Sequence, residues 1–212
     1  MTLIIGVVSQ KGGVGKSTIA RTIAKAYAQA DWNVLIADLD VKQGTTFEWN
    51  TRRLDAGLLP EIQVQQFSST ASTLRVKDSY DLIVYDGTPH STSDTLAIAQ
   101  VSNLVILPTG GSLDDLRPQI RLAHELVKRG INKKSIVFVL SRVDASGTEH
   151  SETVEYLEQT PYAIIEGYIP ERRAFRNALN EGKTLTDTSF KSLNQKVERC
   201  MQAIVDYASQ IA

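Results

Sequence analysis

The stretch Lys11-Gly12-Gly13-Val14-Gly15-Lys16-Ser17-Thr18 directly follows the apolar run Leu3-Ile4-Ile5-Gly6-Val7-Val8. An apolar run, a glycine-rich turn and a Lys-Ser-Thr ending are typical of a strand, a phosphate-binding loop and a helix. The glycines let the backbone turn tightly, so that its N–H groups and the positive end of the next helix bind phosphate oxygens. We therefore predict that the stretch binds a nucleotide, with Lys16 at the β- and γ-phosphates and the Ser17 hydroxyl on Mg²⁺.

The front of this loop departs from the common pattern G-x-x-x-x-G-K-[ST]. That pattern needs a glycine at position 10, where this chain has Gln10, and a second lysine follows at Lys11. The loop itself indicates a nucleotide, whereas the added lysine suggests what the nucleotide is used for.

Apolar, β-branched runs alternate with helical patterns along the whole chain. Strands are predicted at 3–8, 33–38, 62–67, 81–86, 103–108, 135–141 and 162–165, and helices at about 17–30, 45–53, 92–101, 112–129, 149–159, 172–181 and 189–211. This alternation predicts an α/β fold with a doubly wound, mostly parallel sheet and helices on both faces. The length of 212 residues fits one P-loop domain over 1–212.

Composition limits the possible partners and settings. The formal net charge is −1, so no overall field attracts DNA or an acidic membrane, and such binding needs a local patch. A single cysteine, Cys200, cannot form an internal disulfide and favours a reduced, cytoplasmic setting. We expect Cys200 to be an inert packing residue on the apolar stripe of the last helix.

Carboxylates follow two of the predicted strands. Asp38 and Asp40 end one of them and share a face of the strand, so both are expected to point toward the phosphates. Asp86 ends the buried run that starts at Asp81 and is the expected second acid of a phosphate site. An alternative for Asp38 and Asp40 is that they cap the helix predicted at 45.

Together these motifs resemble the ParA/MinD group of ATPases with a deviant phosphate loop, over residues 3 to about 185. The resemblance implies ATP and Mg²⁺ as cofactors and a homodimer in the ATP state, in which Lys11 contacts the nucleotide of the partner subunit. It implies that Asp40 positions the attacking water, that Asp38 supports the loop and metal, and that Asp86 holds Mg²⁺ through water. The implied nucleotide contacts are Lys11, Gly12, Gly13, Val14, Gly15, Lys16, Ser17, Thr18, Asp38, Arg142 and Pro170.

Two pieces of the resemblance are less regular. The family reads D-x-D-P-Q where this chain continues after Asp40 with Val41-Lys42-Gln43, as though one residue were added. Arg142 is expected to stack on the base, although a surface arginine is the alternative.

His90, just after the Gly87-Thr88-Pro89 segment, is expected to face solvent or to start a helix rather than to take part in catalysis.

The predicted DNA-binding residues are Arg172, Arg173 and Arg176. They lie in segment 167–199, which holds seven Lys/Arg against four Asp/Glu, and they are expected to contact the phosphates of non-specific DNA. A solvated helix face with ordinary ion pairs is the alternative. The resemblance then implies a small ParA-type ATPase, associated with the nucleoid, which segregates or positions a cargo such as a plasmid with a ParB-like or other activating partner.

Two further functions stay open. A MinD-like ATPase that cycles on membranes is disfavoured because residues 193–212 carry no surplus positive charge, so no stable membrane anchor is expected. A metabolic enzyme of the same fold is the other alternative, although one cysteine cannot supply the ligands of an iron–sulfur version.

Overall fold

The computed structural model describes residues 2–41, 43–88, 91–143 and 148–211. Within these ranges the chain forms seven strands: β1 (Leu3–Val7), β2 (Val34–Asp38), β3 (Gln63–Gln66), β4 (Leu82–Asp86), β5 (Leu104–Thr109), β6 (Ile136–Val143) and β7 (Ala163–Pro170). The α-helices in these ranges are α1 (Lys16–Ala28), α2 (Thr45–Asp55), α3 (Thr70–Leu74), α4 (Thr92–Val101), α5 (Leu113–Lys128), α6 (Thr148–Glu158), α7 (Arg173–Asn180) and α8 (Lys191–Ile211).

The strands form one sheet in the order β3-β2-β4-β1-β5-β6-β7, with every pairing parallel. The predicted doubly wound α/β fold is thus confirmed. Strand β1 lies between β4 and β5, so the loop that follows it emerges where the chain changes direction across the sheet. In open α/β sheets ligands bind at that point, beyond the carboxyl ends of the strands.

Alternate residues of the central strands supply two hydrophobic cores, one on each face of the sheet. Ile5 and Val7 belong to the core that includes residues of α1 and α8. Ile4 and Val8 belong to the core that includes residues of α4, α5 and α6. Both faces of the sheet are therefore covered, which explains the nearly continuous apolar runs of the central strands.

Two elements differ from the sequence predictions. Strand β7 continues to Pro170 instead of ending at 165, because Gly167 takes a φ of 88° and the pairing with β6 shifts register. Helix α3 is not predicted; its five residues are too short to show a helical period, and Ser69 caps it by accepting a hydrogen bond from the Ser72 amide. The longer β7 matters most, because it carries Pro170 to the ligand-binding edge.

Helix α8 packs on β7 and contributes its apolar stripe to a core. Val197, Cys200, Met201 and Ile204 are buried, and burial raises the pKa of the Cys200 thiol to about 12. Cys200 is thus the inert packing residue that the stripe predicts. Among the described residues, no helix combines the length and the apolar character needed to span a bilayer.

Gly182 should be the glycine whose replacement by alanine is most damaging to stability. Its φ is +73°, and an added Cβ would lie 2.5 Å from the Arg53 backbone nitrogen. We expect Gly182→Ala to lower the free energy of unfolding by about 3 kcal/mol, since positive φ costs roughly 1–2 kcal/mol and overpacking typically 1–3 kcal/mol. Gly130→Ala is the matched control, because Gly130 has a φ of +92° with nothing within 4 Å of the added Cβ. Urea unfolding would show equal losses for both variants if the backbone contact were unimportant.

Candidate nucleotide site

The phosphate loop connects β1 to α1 and has the backbone that its glycines predict. Gly13 and Gly15 have φ values of 77° and 95°. An added Cβ on Gly15 would lie 2.7 Å from the Ser141 hydroxyl oxygen, so a side chain is excluded there by space as well as by conformation. Helix α1 begins without a side-chain cap on Gly15, which leaves its first N–H groups to bind an anion.

Lys16 places a cation inside this loop. Its side chain is buried, and its Nζ donates to the Lys11 carbonyl oxygen at 3.4 Å. Burial lowers the pKa of Lys16, while the nearby Asp86 and Asp40 oppose the shift. Bound phosphates would act in the same direction as these carboxylates and favour the charged ammonium.

Ser17 and Asp86 form the candidate metal site. The Ser17 hydroxyl donates to Asp86 Oδ1 at 3.0 Å, and Asp86 Oδ2 accepts from the Thr46 hydroxyl at 2.6 Å. Burial raises the pKa of Asp86, opposed by the hydrogen bond from Thr46 and the positive charge of Arg21. A hydroxyl beside a carboxylate, next to a phosphate loop, fits Mg²⁺, which takes few protein oxygens together with phosphates and water.

The two acids after β2 have different surroundings. Asp40 lines the cavity beside the phosphate loop, and its carboxylate accepts from the Gln43 amide at 3.2 Å. Asp38 instead accepts from the amides of Asp40 at 3.0 Å and Phe47 at 3.2 Å, and so holds the first turn of α2. Burial, together with the charge of Asp86, raises the pKa of Asp38 to about 6. Of the two acids, only Asp40 therefore lines the cavity, whereas Asp38 acts on the backbone that presents Asp40.

The Lys11 side chain does not line the cavity of its own chain. Its Nζ contacts the Asp115 carboxylate and donates to the Asp114 carbonyl oxygen at 3.3 Å. Asp115 belongs to the capping turn of α5, where Ser112 Oγ accepts from the Asp115 amide at 3.2 Å. The Lys11 side chain is 40% exposed, and exposed ion pairs of this kind contribute only about 0.2–1 kcal/mol. Lys11 can therefore leave Asp115 at little cost.

Residues from the end of β6 and just after β7 form another wall of the site, beside the phosphate loop. Arg142 has a φ of 61°, and its guanidinium donates to the Gly13 carbonyl oxygen and to Glu171 Oε2, the latter at 2.6 Å. The hydrogen bond to Arg142 lowers the pKa of the Glu171 carboxyl. This pair fixes the wall where the resemblance places the base.

A cavity of about 540 Å³ is lined by the phosphate loop and by these residues. Of the sequence-predicted residues, it is lined by Gly12, Gly13, Gly15, Lys16, Ser17, Thr18, Asp40, Arg142, Pro170, Arg172 and Arg176. Lys11, Val14, Asp38 and Asp86 are not in its lining; Val14 is buried, and the other three make the contacts given above. Arg173 does not line this cavity but lines an adjoining groove beside α7 and α8, which shares Pro170 and Arg172 with it.

Thr46, Ser141 and Glu171 are site residues that sequence reasoning missed. Thr46 contacts Asp86 across 40 positions, and Glu171 contacts Arg142 across 29. Neither residue belongs to a local motif, so their roles become visible only in the folded chain. Lys42, Pro89 and His90, which the sequence analysis considered, lie outside the described residues.

The chain is similar to known nucleotide-binding proteins. Residues 5–185 match the family model described as the CobQ/CobB/MinD/ParA nucleotide binding domain. The chain is 29% identical over 194 residues to the Maintenance of carboxysome distribution protein A of Gloeobacter kilaueensis, covering 91% of this chain and 88% of that protein.

Two solved structures share the fold across nearly the whole chain. The Cyanothece McdA–ATP complex matches with a TM-score of 0.72 and 18% identity, covering 96% of each chain. The septum site-determining protein MinD of Pyrococcus horikoshii, complexed with Mg-ADP, matches with a TM-score of 0.75 and 19% identity, covering 100% of this chain and 99% of that chain. The fold is thus that of these ATP- and ADP-binding proteins. Because the family model spans most of the chain, including the phosphate loop, Asp40 and Asp86, this protein belongs to the CobQ/CobB/MinD/ParA nucleotide-binding domain family.

Proposed function

We propose that this protein is an ATP-dependent dimerising switch that positions a cargo. The observation that carries the proposal is the direction of Lys11. This lysine belongs to the phosphate loop, yet its ammonium lies at the surface on Asp115, outside the cavity of its own chain. A cation in that position is suited to the nucleotide of a second subunit, where it would act as an arginine finger does.

The proposed chemistry is in-line attack of water on the γ-phosphoryl group of ATP. The loop N–H groups and Lys16 hold the phosphates, and Asp40 orients the attacking water and accepts its proton. Mg²⁺, held by Ser17 and through water by Asp86, would neutralise charge on the phosphates. Lys11 of the partner subunit would stabilise the charge on the transferred phosphoryl group. Hydrolysis to ADP and phosphate then removes the γ-phosphoryl group that Lys11 of the partner subunit contacts, and the subunits separate.

The relative in Gloeobacter points to the kind of cargo. Its name assigns it to carboxysome distribution, and we infer that this chain likewise distributes an assembly or a replicon within the cytoplasm. The proposed track is non-specific DNA of the nucleoid, and a ParB-like or other adaptor would trigger hydrolysis. A membrane track is less suited, since α8 buries its apolar stripe in the core.

The mass of the protein in solution tests the proposal directly. We expect a monomer with ADP and a dimer with Mg²⁺ and a non-hydrolysed ATP analogue in analytical ultracentrifugation. Phosphate release should accompany the dimer and depend on Mg²⁺. A monomer in every nucleotide state would refute the switch. Co-sedimentation with anionic liposomes in the presence of ATP would show that the protein binds a membrane surface instead of DNA.

Arg173 gives the clearest test of DNA binding. Arg172 and Arg176 line the nucleotide cavity, so changing them could alter nucleotide binding as well as DNA binding. Arg173 is exposed and does not line that cavity. We expect Arg173→Glu to weaken ATP-dependent DNA binding at least tenfold at moderate salt, because it replaces a phosphate contact by a repulsive charge.

Arg75→Glu makes the same charge change at an exposed site after α3 and should leave DNA affinity nearly unaltered. Fluorescence anisotropy over a range of salt concentrations measures both variants. Equal effects of the two substitutions would show that only net charge matters and that Arg173 makes no DNA contact.

A further inference from the structure

Thr46 connects the candidate metal site to helix α2. Its hydroxyl donates to Asp86 Oδ2 at 2.6 Å and accepts from Arg21 Nε at 3.0 Å. The three residues are almost completely buried, with exposures of 0% for Thr46, 3% for Asp86 and 7% for Arg21. Water cannot readily replace these partners, so each group depends on the next.

The chemistry of the three groups fixes the direction of both hydrogen bonds. A guanidinium has no acceptor, so Arg21 must donate to Thr46. The Thr46 proton is then directed at Asp86 Oδ2, because a carboxylate only accepts. Oδ2 is held from the α2 side, and Oδ1 remains beside the Ser17 hydroxyl. Thr46 therefore holds one oxygen of the carboxylate, and Ser17 holds the other.

Helix α2 also contacts the segment that carries another residue of the cavity lining. The Arg21 guanidinium carbon lies 5.3 Å from the centroid of the Trp49 ring, within the range of a cation–π contact. Trp49 Nε1 donates to the Lys183 carbonyl oxygen at 2.9 Å. Leu185, two residues further along, lines the nucleotide cavity. One helix thus contacts the metal-site carboxylate near its start and the loop behind Leu185 further along.

We propose that Thr46 is a positioning residue for the carboxylate of Asp86, and that through it occupation of the metal site is transmitted to α2 and Trp49. This inference rests on the proposed Mg²⁺ and nucleotide binding at Ser17 and Asp86. It adds a residue and a route that the phosphate-loop motif does not contain. Partners that orient a metal ligand typically change metal affinity by about 10–100-fold when they are removed.

The test compares Thr46→Val, which keeps the shape and removes the hydroxyl, with Thr46→Ser, which keeps the hydroxyl. The chain has two tryptophans, and Trp32 is 39% exposed, so a Trp32→Phe background leaves Trp49 as the reporter. Each variant is first freed of metal with EDTA, transferred to EDTA-free buffer, saturated with a non-hydrolysed ATP analogue and then titrated with Mg²⁺. Calorimetry measures Mg²⁺ affinity, and Trp49 emission measures transmission to α2.

We expect Thr46→Val to bind Mg²⁺ about 10–100-fold more weakly, with nucleotide affinity in EDTA close to that of the parent. Thr46→Ser should retain most of the Mg²⁺ affinity, and Mg²⁺ should change Trp49 emission in the parent. Unaltered Mg²⁺ affinity in Thr46→Val, or an equal loss in Thr46→Ser, would overturn the role of the hydroxyl. If Mg²⁺ did not change Trp49 emission in the parent protein, the proposed link between the metal site and α2 would be overturned. A parent that binds neither nucleotide nor Mg²⁺ would instead refute the proposed function on which the inference rests.

Discussion

Replacing Lys11 by alanine is expected to abolish ATP-dependent dimerisation while each subunit still binds the nucleotide. The Lys11 side chain does not line the cavity of its own chain, so its loss removes no contact within the subunit that holds the phosphates. In the proposed dimer the same ammonium lies against a highly charged phosphate group of the partner, away from bulk water. Removing one member of such a buried charge pair typically costs about 2–5 kcal/mol or more, and the dimer has two of these pairs.

Sedimentation with Mg²⁺ and a non-hydrolysed ATP analogue measures the dimer, and a fluorescent ATP analogue measures binding to the monomer. Lys77→Ala removes an exposed lysine of another region and is the matched control. We expect the control to dimerise normally and Lys11→Ala to stay monomeric with nearly unaltered nucleotide affinity. A Lys11→Ala dimer of normal strength would exclude the proposed action between subunits.

The fold was largely predictable because its signals are local. Runs of apolar residues covered on both sides gave the central strands, and helical periods gave the crossovers between them. The second half of strand β7 was not predicted, because Glu166 and Gly167 interrupt its apolar pattern. In the structure Gly167 has a positive φ and lies beside Cys200. Packing against α8 therefore continues the strand where the sequence pattern suggests its end.

The candidate site was likewise predictable only where its residues are adjacent in the sequence. The phosphate loop is a contiguous motif, and the structure brings Gly15, Lys16 and Ser17 together as the motif indicates. The groups that orient them come from distant positions, as Thr46 does for Asp86 and Glu171 for Arg142. Their side chains are common in any protein surface or core, so only the fold shows that they meet.

Strand alternation alone does not separate Asp38 from Asp40, to which only the family resemblance gave different roles. Alternation along a strand places residues two apart on one face, but β2 ends at Asp38. Beyond that point the backbone turns, stabilised by the hydrogen bond from the Asp40 amide to the Asp38 carboxylate. Only Asp40 then reaches the cavity. The turn that follows the strand, rather than the strand itself, selects the carboxylate with the proposed catalytic role.

Asp40→Asn is accordingly expected to slow hydrolysis about 10²–10⁴-fold, the usual contribution of a positioned general base. The asparagine side chain is nearly the same size and can still accept from the Gln43 amide, which donates to Asp40 Oδ1 at 3.2 Å. What it loses is the negative charge and the capacity to take a proton from water. Nucleotide binding and dimerisation should survive, so the variant should accumulate as a long-lived ATP dimer.

Phosphate release and sedimentation, measured on the same sample, test both parts of this expectation. Asp55→Asn makes the same chemical change at the exposed end of α2 and should hydrolyse ATP at the parental rate. If Asp40→Asn hydrolysed ATP normally, another group would have to orient the water. If it lost the dimer as well, Asp40 would contribute to assembly rather than to the chemical step. A stable dimer that no longer hydrolyses ATP would place Asp40 at the hydrolytic step that resets the switch.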